Sequence, residues 1–420
     1  MANDQPLPHQ QATGGRRRAL RLDWVQPIGL LGLSIANYLL RLVTLGTYHF
    51  WGKTEVRRRL WSAVRLDDEP LEYTGTGREL FVGFLIVFAL VLLPILLGGV
   101  AVAILFGPQS PALAIYQLLL YVLIALLIGI GTSRAQRYRL SRTRWRGIRM
   151  GLVGSSWRYG WTYFWTLLVL PFTLGWATPW RATRLQRMLT DDMRFGDRPF
   201  RFTGSSGPLY GPFAILWLGA LVILVVTGLV IQLGLTNLGI AAIAAKRGQL
   251  DSATIAKLIV IVYGVLAVAL LAYSVLSAFY RAAQFNHFAA HTFFEGATFR
   301  ASTTGGGLVW IAIGNFLIWL AGIVAALLAV FAVAVGLGLA LGTSPEQTPV
   351  LTQAFSLLGI AVIITAAGLL SPIIQARTTR YLVERMEIVG EVPLAEIAQG
   401  QDQGIRRGEG LAEAFDIDAF

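Results

Sequence analysis

The sequence predicts an all-α polytopic membrane protein: a pseudo-repeat helical bundle with about six transmembrane helices, two re-entrant or in-plane helices, cytoplasmic amphipathic helices and small β-hairpins. Three observations carry this. First, 55% of the 420 residues are hydrophobic, 14% are charged and the mean hydropathy is +0.61, too much apolar surface for a water-soluble globule to hide. Second, the net charge of +12 is almost wholly arginine, with Lys53, Lys246 and Lys257 the only lysines. The arginines cluster at the ends of apolar runs, where lipid phosphates and the positive-inside rule want them, so no nucleic-acid partner is expected. Third, the stretch from Thr44 to Leu80 is written again from Thr173 to Leu209, with thirteen identities in 37 positions at a constant offset of 129. Chance alone gives roughly two or three. A fainter third copy maps Pro179, Arg184, Arg187, Leu189 and Met193 onto Pro372, Arg377, Arg380, Leu382 and Met386.

Taken in order, residues 1–24 are polar and arginine-rich without an apolar core, which reads as a disordered cytoplasmic tail and not as a cleavable signal peptide. Val25 to Gly46 is apolar around a single Arg41. It leads into an amphipathic stretch, Trp51 to Leu66, with Val56, Leu60, Ala63 and Val64 on one helical face and Arg57, Arg58 and Arg59 on the other. The following DDEPLEYTGTG carries turn residues and a short alternation, the pattern of a small hairpin or an extended lid. Leu80 to Phe106 and Pro111 to Thr132 form the first membrane hairpin, and the arginines from Arg134 to Arg149 mark its cytoplasmic exit. Within that run TRWRGIRM resembles the later TFFEGATF, 149 residues on.

Trp157 to Trp176 copies the first apolar run, and both of its flanks are basic. It and its counterpart at 25–46 are therefore expected to dip in and out on one side, with Pro171 and Pro27 helping to bend them. A second membrane hairpin runs from Gly211 to Leu235 and from Ile255 to Phe279, with its outer loop near Lys246 and Arg247. Two further spans, Leu308 to Leu341 and Thr352 to Pro372, precede the helix that holds Arg377 and Arg380. The organisation is thus a membrane repeat over 25–156, a second over 157–304, a diverged partial third over 305–394, and a disordered cytoplasmic tail over 395–420.

The strings NYLLRLVTLGTYHFWGKTEVRRRLW, EYTGTG, TLGWATPW and RFTGSSG resemble the YjgN-like family of bacterial inner-membrane proteins. The resemblance extends from about Asn37 to Leu394 and implies the bacterial cytoplasmic membrane, with no activity attached.

Candidate chemistry is sparse. Cysteine is absent, which removes disulfides and thiolate metal sites, and no nucleotide-binding or nucleophile-elbow motif occurs. His287, His291 and Glu295 have the i, i+4, i+8 spacing of metal ligands on one helix, though without a fourth ligand. Arg41, inside an apolar run, is expected to pair or reach the interface. Arg41, which could also hold an anion or lipid phosphate between the repeats, joins Trp51, Arg57, Arg58, Trp180, Arg184, Arg187, Arg377 and Arg380 as the candidate headgroup-binding set, since guanidinium grips phosphate bidentately. The expectation is a non-enzymatic protein without cofactor that binds or translocates an anionic lipid or amphiphile between its repeats. A scaffold docking a protein on its cytoplasmic face is the alternative reading, and a metal-dependent membrane enzyme a third.

Overall fold

The computed structural model describes residues 18–237, 239, 252–341, 353, 357 and 369–400. It is mostly helical, with short antiparallel strands gathered at one end. The helices are α1 (Leu30–Val43), α2 (His49–Ala63), α3 (Gly77–Val87), α4 (Leu93–Phe106), α5 (Pro111–Ser141), α6 (Ser156–Phe172), α7 (Thr178–Asp192), α8 (Tyr210–Asn237), α9 (Ser252–Ala290), α10 (Gly305–Leu341) and α11 (Ser371–Val383). A π turn at Phe88–Leu92 joins α3 to α4 without a break. Among the described residues, that continuous helix and α5, α8, α9 and α10 make five helices long and apolar enough to cross a membrane. Thirty residues of helix reach about 45 Å, well beyond the ~30 Å hydrocarbon layer. Most of the expected sixth span, Thr352 to Pro372, lies outside the described residues, as do Lys246 and Arg247.

The two windows 129 residues apart fold into the same succession of elements. Helices α2 and α7 have bounds that differ by that offset, as do the strands β3 (Val64–Leu66) and β8 (Met193–Phe195). Two residues past the ends of α1 and α6 comes a leucine with left-handed φ followed by glycine, Leu45 (49°) with Gly46 (89°) and Leu174 (48°) with Gly175 (80°). The glycine N–H reaches back to Arg41 O at 2.7 Å in one and to Leu170 O at 2.8 Å in the other. Each pair, α1–α2 and α6–α7, therefore leaves the strand layer and returns to it. The amphipathic stretch ends as a helix at Ala63 rather than Leu66, because residues 64–66 are taken by a strand.

The remaining strands are β1 (Arg18–Ala19), β2 (Leu22–Trp24), β4 (Glu69–Pro70), β5 (Glu72–Tyr73), β6 (Thr143–Trp145), β7 (Ile148–Leu152), β9 (Arg198–Phe202), β10 (Thr292–Phe294), β11 (Ala297–Ala301), β12 (Met386–Val389) and β13 (Glu391–Val392). Four two-residue turns make hairpins. Asp67-Asp68, Arg146-Gly147 and Glu295-Gly296 have both loop residues at positive φ, and Gly196-Asp197 has a positive φ at the glycine. Such primed turns match the twist of antiparallel strands.

Eight strands pair in the order β12-β11-β10-β9-β8-β7-β6-β5, three in the order β2-β3-β4, and β1 pairs with β13. These groups join because β4 runs on into β5 past Leu71, whose N–H reaches Val64 O at 3.0 Å. In the same way β12 runs into β13 past Gly390, and β1 into β2 past Leu20 and Arg21. Among the described residues the result is a closed ring of ten bent strands, antiparallel throughout.

One backbone bond recurs at each junction between units: Val25 N–H to Ala63 O, Thr74 to Arg142, Val153 to Asp192, Thr203 to His291 and Ser302 to Arg385, at 2.8 to 3.0 Å. The ring is thus pseudo-fivefold. Residues 18–24 and 391–400, assigned to or beside disordered tails on composition, instead complete it, because strand pairing and apolar burial of Leu20, Val392 and Ile397 outweigh their polar neighbours. Residues 1–17 and 401–420 lie outside the described set.

Candidate functional site

The predicted headgroup residues are distributed over four helices, α1, α2, α7 and α11. Helices α2 and α11 pack against each other and against α1 through Leu30, Val56, Leu60 and Ala376. Helix α7 packs instead on α6 and β9. Arg41 sits partly buried in the last turn of α1. Trp51 packs on Phe81 with ring centroids 5.5 Å apart, and the Arg184 guanidinium lies 5.6 Å over the Trp180 ring. Arg57, expected on a polar face, is only 8% exposed and faces Tyr73, 3.5 Å from its hydroxyl, because strand β5 folds over that side of α2. Arg377 packs against Gly314 of α10, where any side chain would collide with its guanidinium. Arg380 pairs with Glu384 at 2.7 Å.

Arg58 and Arg187 have a shared intramolecular job. Each donates to the carbonyl of a glycine 17 residues on, Gly75 at 3.0 Å and Gly204 at 2.7 Å. Arg137 makes the same reach to Gly154 O. Asn286 makes it to Thr303 O at 2.8 Å, and its Oδ1 accepts from the Thr303 N–H at 3.0 Å. Four helices are thereby tied to the exits of their own hairpins. A charge-assisted bond to an otherwise orphaned carbonyl contributes about 1.5 to 3 kcal/mol where it is shielded from water.

The histidine cluster does not form on a helix face. Helix α9 ends at Ala290, so His287 and His291 lie with ring centroids 4.3 Å apart and planes tilted by 43°, while Glu295 sits in the β10–β11 turn beside Arg198, at 3.8 Å. His287 Nε2 is 2.7 Å from Ser205 O and His291 Nδ1 is 2.8 Å from His287 O. Among the described residues no group of three or more His, Cys, Asp or Glu side chains is placed to hold a metal.

What the sequence reading missed is the inside of the ring. It encloses a cavity of ≈ 390 Å³ to which strands all round contribute, among them Leu22, Leu66, Trp145, Phe195, Phe294 and Ile388. Side chains alternate across a strand, so the triplets Val64-Arg65-Leu66, Thr143-Arg144-Trp145, Met193-Arg194-Phe195 and Phe200-Arg201-Phe202 send arginine outward between their inward neighbours. This recurring arginine triplet was the available signal. Among the described residues lining the chamber Gln186 and Thr292 are the polar ones and none is charged.

At the helix side the lining reaches Gln186 of α7 and Phe285, Phe288 and Ala289 of α9. At the turn side residues 394–400 cross the ring. The Asp197 N–H donates to Ala398 O, and the Ala398 N–H to Asp197 Oδ1, both at 3.1 Å, while the Arg149 N–H donates to Gln399 Oε1 at 3.2 Å. Such a chamber can hold hydrocarbon.

Among the described residues, five apolar helices of membrane-spanning length rising from a ring of strands with an uncharged cavity define a polytopic membrane protein. The chain belongs to the family described as "Bacterial protein of unknown function (DUF898)", whose model matches residues 28–414. A stretch of 138 residues is 26% identical to a protein named inner membrane protein YjgN from Salmonella typhimurium (strain LT2), covering 33% of this chain and 32% of that relative. The match therefore spans about a third of the relative's length, and it agrees with the YjgN-like resemblance. No solved structure matches the chain.

Proposed function

We propose that this chain is a non-enzymatic protein of the bacterial cytoplasmic membrane that binds an amphiphile, with the apolar part of the ligand held in the ring chamber. The observation that carries the reading is the chamber itself: ≈ 390 Å³ of uncharged interior reaching the ends of membrane-length helices. Small-molecule sites occupy roughly 300 to 1,000 Å³ and are mostly apolar. The inner-membrane assignment rests on the spans and on the name of the relative.

Arginine density at the ring side supports a cytoplasmic ring with both termini inside. In that orientation α1–α2 and α6–α7 dip into the bilayer from the ring side. Their tips, Leu45 at 94% exposure and Leu174 at 76%, then sit in lipid. The outward arginines of the strands, Arg144, Arg194, Arg201 and Arg300, supply the preference for an anionic head, worth about 1 kcal/mol for each side chain near a charged surface.

Native mass spectrometry of protein extracted gently from its own membrane tests this. The expected spectrum shows one lipid or amphiphile at fixed stoichiometry, lost when the chamber is filled by Met150→Trp. A lipid-free protein that arrives with another polypeptide seated on it would replace this reading with the scaffold.

A further inference from the structure

We infer that the chamber takes a single hydrocarbon chain, tail first from the helix side, and that Leu394 is the floor that limits how long a chain fits. The inference rests on the amphiphile reading and adds the ligand class and its orientation.

The volume sits near the bottom of the small-molecule range, which favours one chain over the two of a phospholipid. The uncharged lining excludes an ionised head, because burying a charge without a partner costs several kcal/mol in a low-dielectric interior. The head therefore stays outside. Its side is fixed by the two ends. Residues 393–400 stopper the turn side, held to Asp197 and Arg149 by the three bonds described above, with Ile397 packed into the ring core.

The helix side is lined by Phe285 and Phe288, in the last two turns of the membrane-length helix α9. Leu394 is the stopper residue that lines the cavity. The walls suit a chain whose exact shape varies. Three of the protein's five methionines, Met150, Met193 and Met386, line this one space, and methionine is the side chain that adapts to irregular apolar contours.

The test is a chain-length series. Saturated fatty acids of increasing length are competed against a fluorescent fatty acid on the full-length protein held in amphipol. Affinity should climb about fourfold for each methylene added, then level off at the length where the tail meets the floor. Leu394→Ala should move that break to a longer chain and Met150→Trp to a shorter one, each with unchanged far-ultraviolet circular dichroism.

An affinity that climbs without a break in the native protein, or a break that neither variant moves, would overturn the floor. Fixed-stoichiometry retention of a two-chain phospholipid, with fatty acids failing to displace it, would overturn the single-chain claim while leaving amphiphile binding intact. Failure to hold any probe or native lipid would remove both.

Discussion

Each of the first four hairpins turns through two residues and sends its second strand into the next helix, whereas the fifth unit has no turn. Its first strand, β12, bends at Gly390 and runs on as β13, and the missing partner is supplied by residues 18–24 from the other end of the chain. The first four units are also tied to their helices by the 17-residue reach of Arg58, Arg137, Arg187 and Asn286. The fifth is not: the residue matching Arg187 is Arg380, which turns to Glu384 on its own helix. The difference shows how a ring of repeats closes. One unit must be assembled from both chain ends, and the segment freed from making a turn there becomes the stopper of the chamber.

This contrast makes ordered predictions for thermal unfolding of the purified protein. Gly390 has φ 114°, and a Cβ there would lie 2.7 Å from Gly296 O. Gly390→Ala should therefore cost ~3 kcal/mol by strain and loosen the closure, read as a lower melting temperature and faster proteolysis near residue 390. Next comes Asn286→Ala, which leaves the buried Thr303 without both backbone partners and should cost roughly 2 kcal/mol. The smallest effect belongs to the fifth unit. Arg380→Gln breaks an exposed i, i+4 pair and should change stability by no more than about 0.5 kcal/mol. If Arg380→Gln destabilised as much as Asn286→Ala, the fifth unit would have to be tied like the rest.

Much of the helical layer was legible beforehand. Apolar runs are long and local, so five spans emerge near the positions read from the sequence, and the identities at offset 129 fall on elements with matching bounds. The ring was not. Its strands are two to five residues long, and its closing pair joins Arg18 to Val392 across almost the whole chain, beyond any local periodicity. The DDEPLEYTGTG stretch showed one hairpin, but nothing nearby tells a strand which distant strand it will meet.

The arginines were ambiguous for a related reason. A basic residue at a helix end serves topology, headgroup binding or carbonyl capture equally well, and Arg58 and Arg187 show the last use only once Gly75 and Gly204 are brought back to them. The metal spacing failed because helical periodicity was carried past Ala290, where the chain becomes a strand.

The most direct measurement is a cryo-electron microscopy map of the protein in nanodiscs made from its native lipids. The account predicts a rod of non-protein density inside the ring, running from the level of Phe285 and Phe288 down to Leu394 and ending there. A ring whose interior is closed by inward-packed side chains, with lipid density confined to the outer faces of the spans, would contradict it.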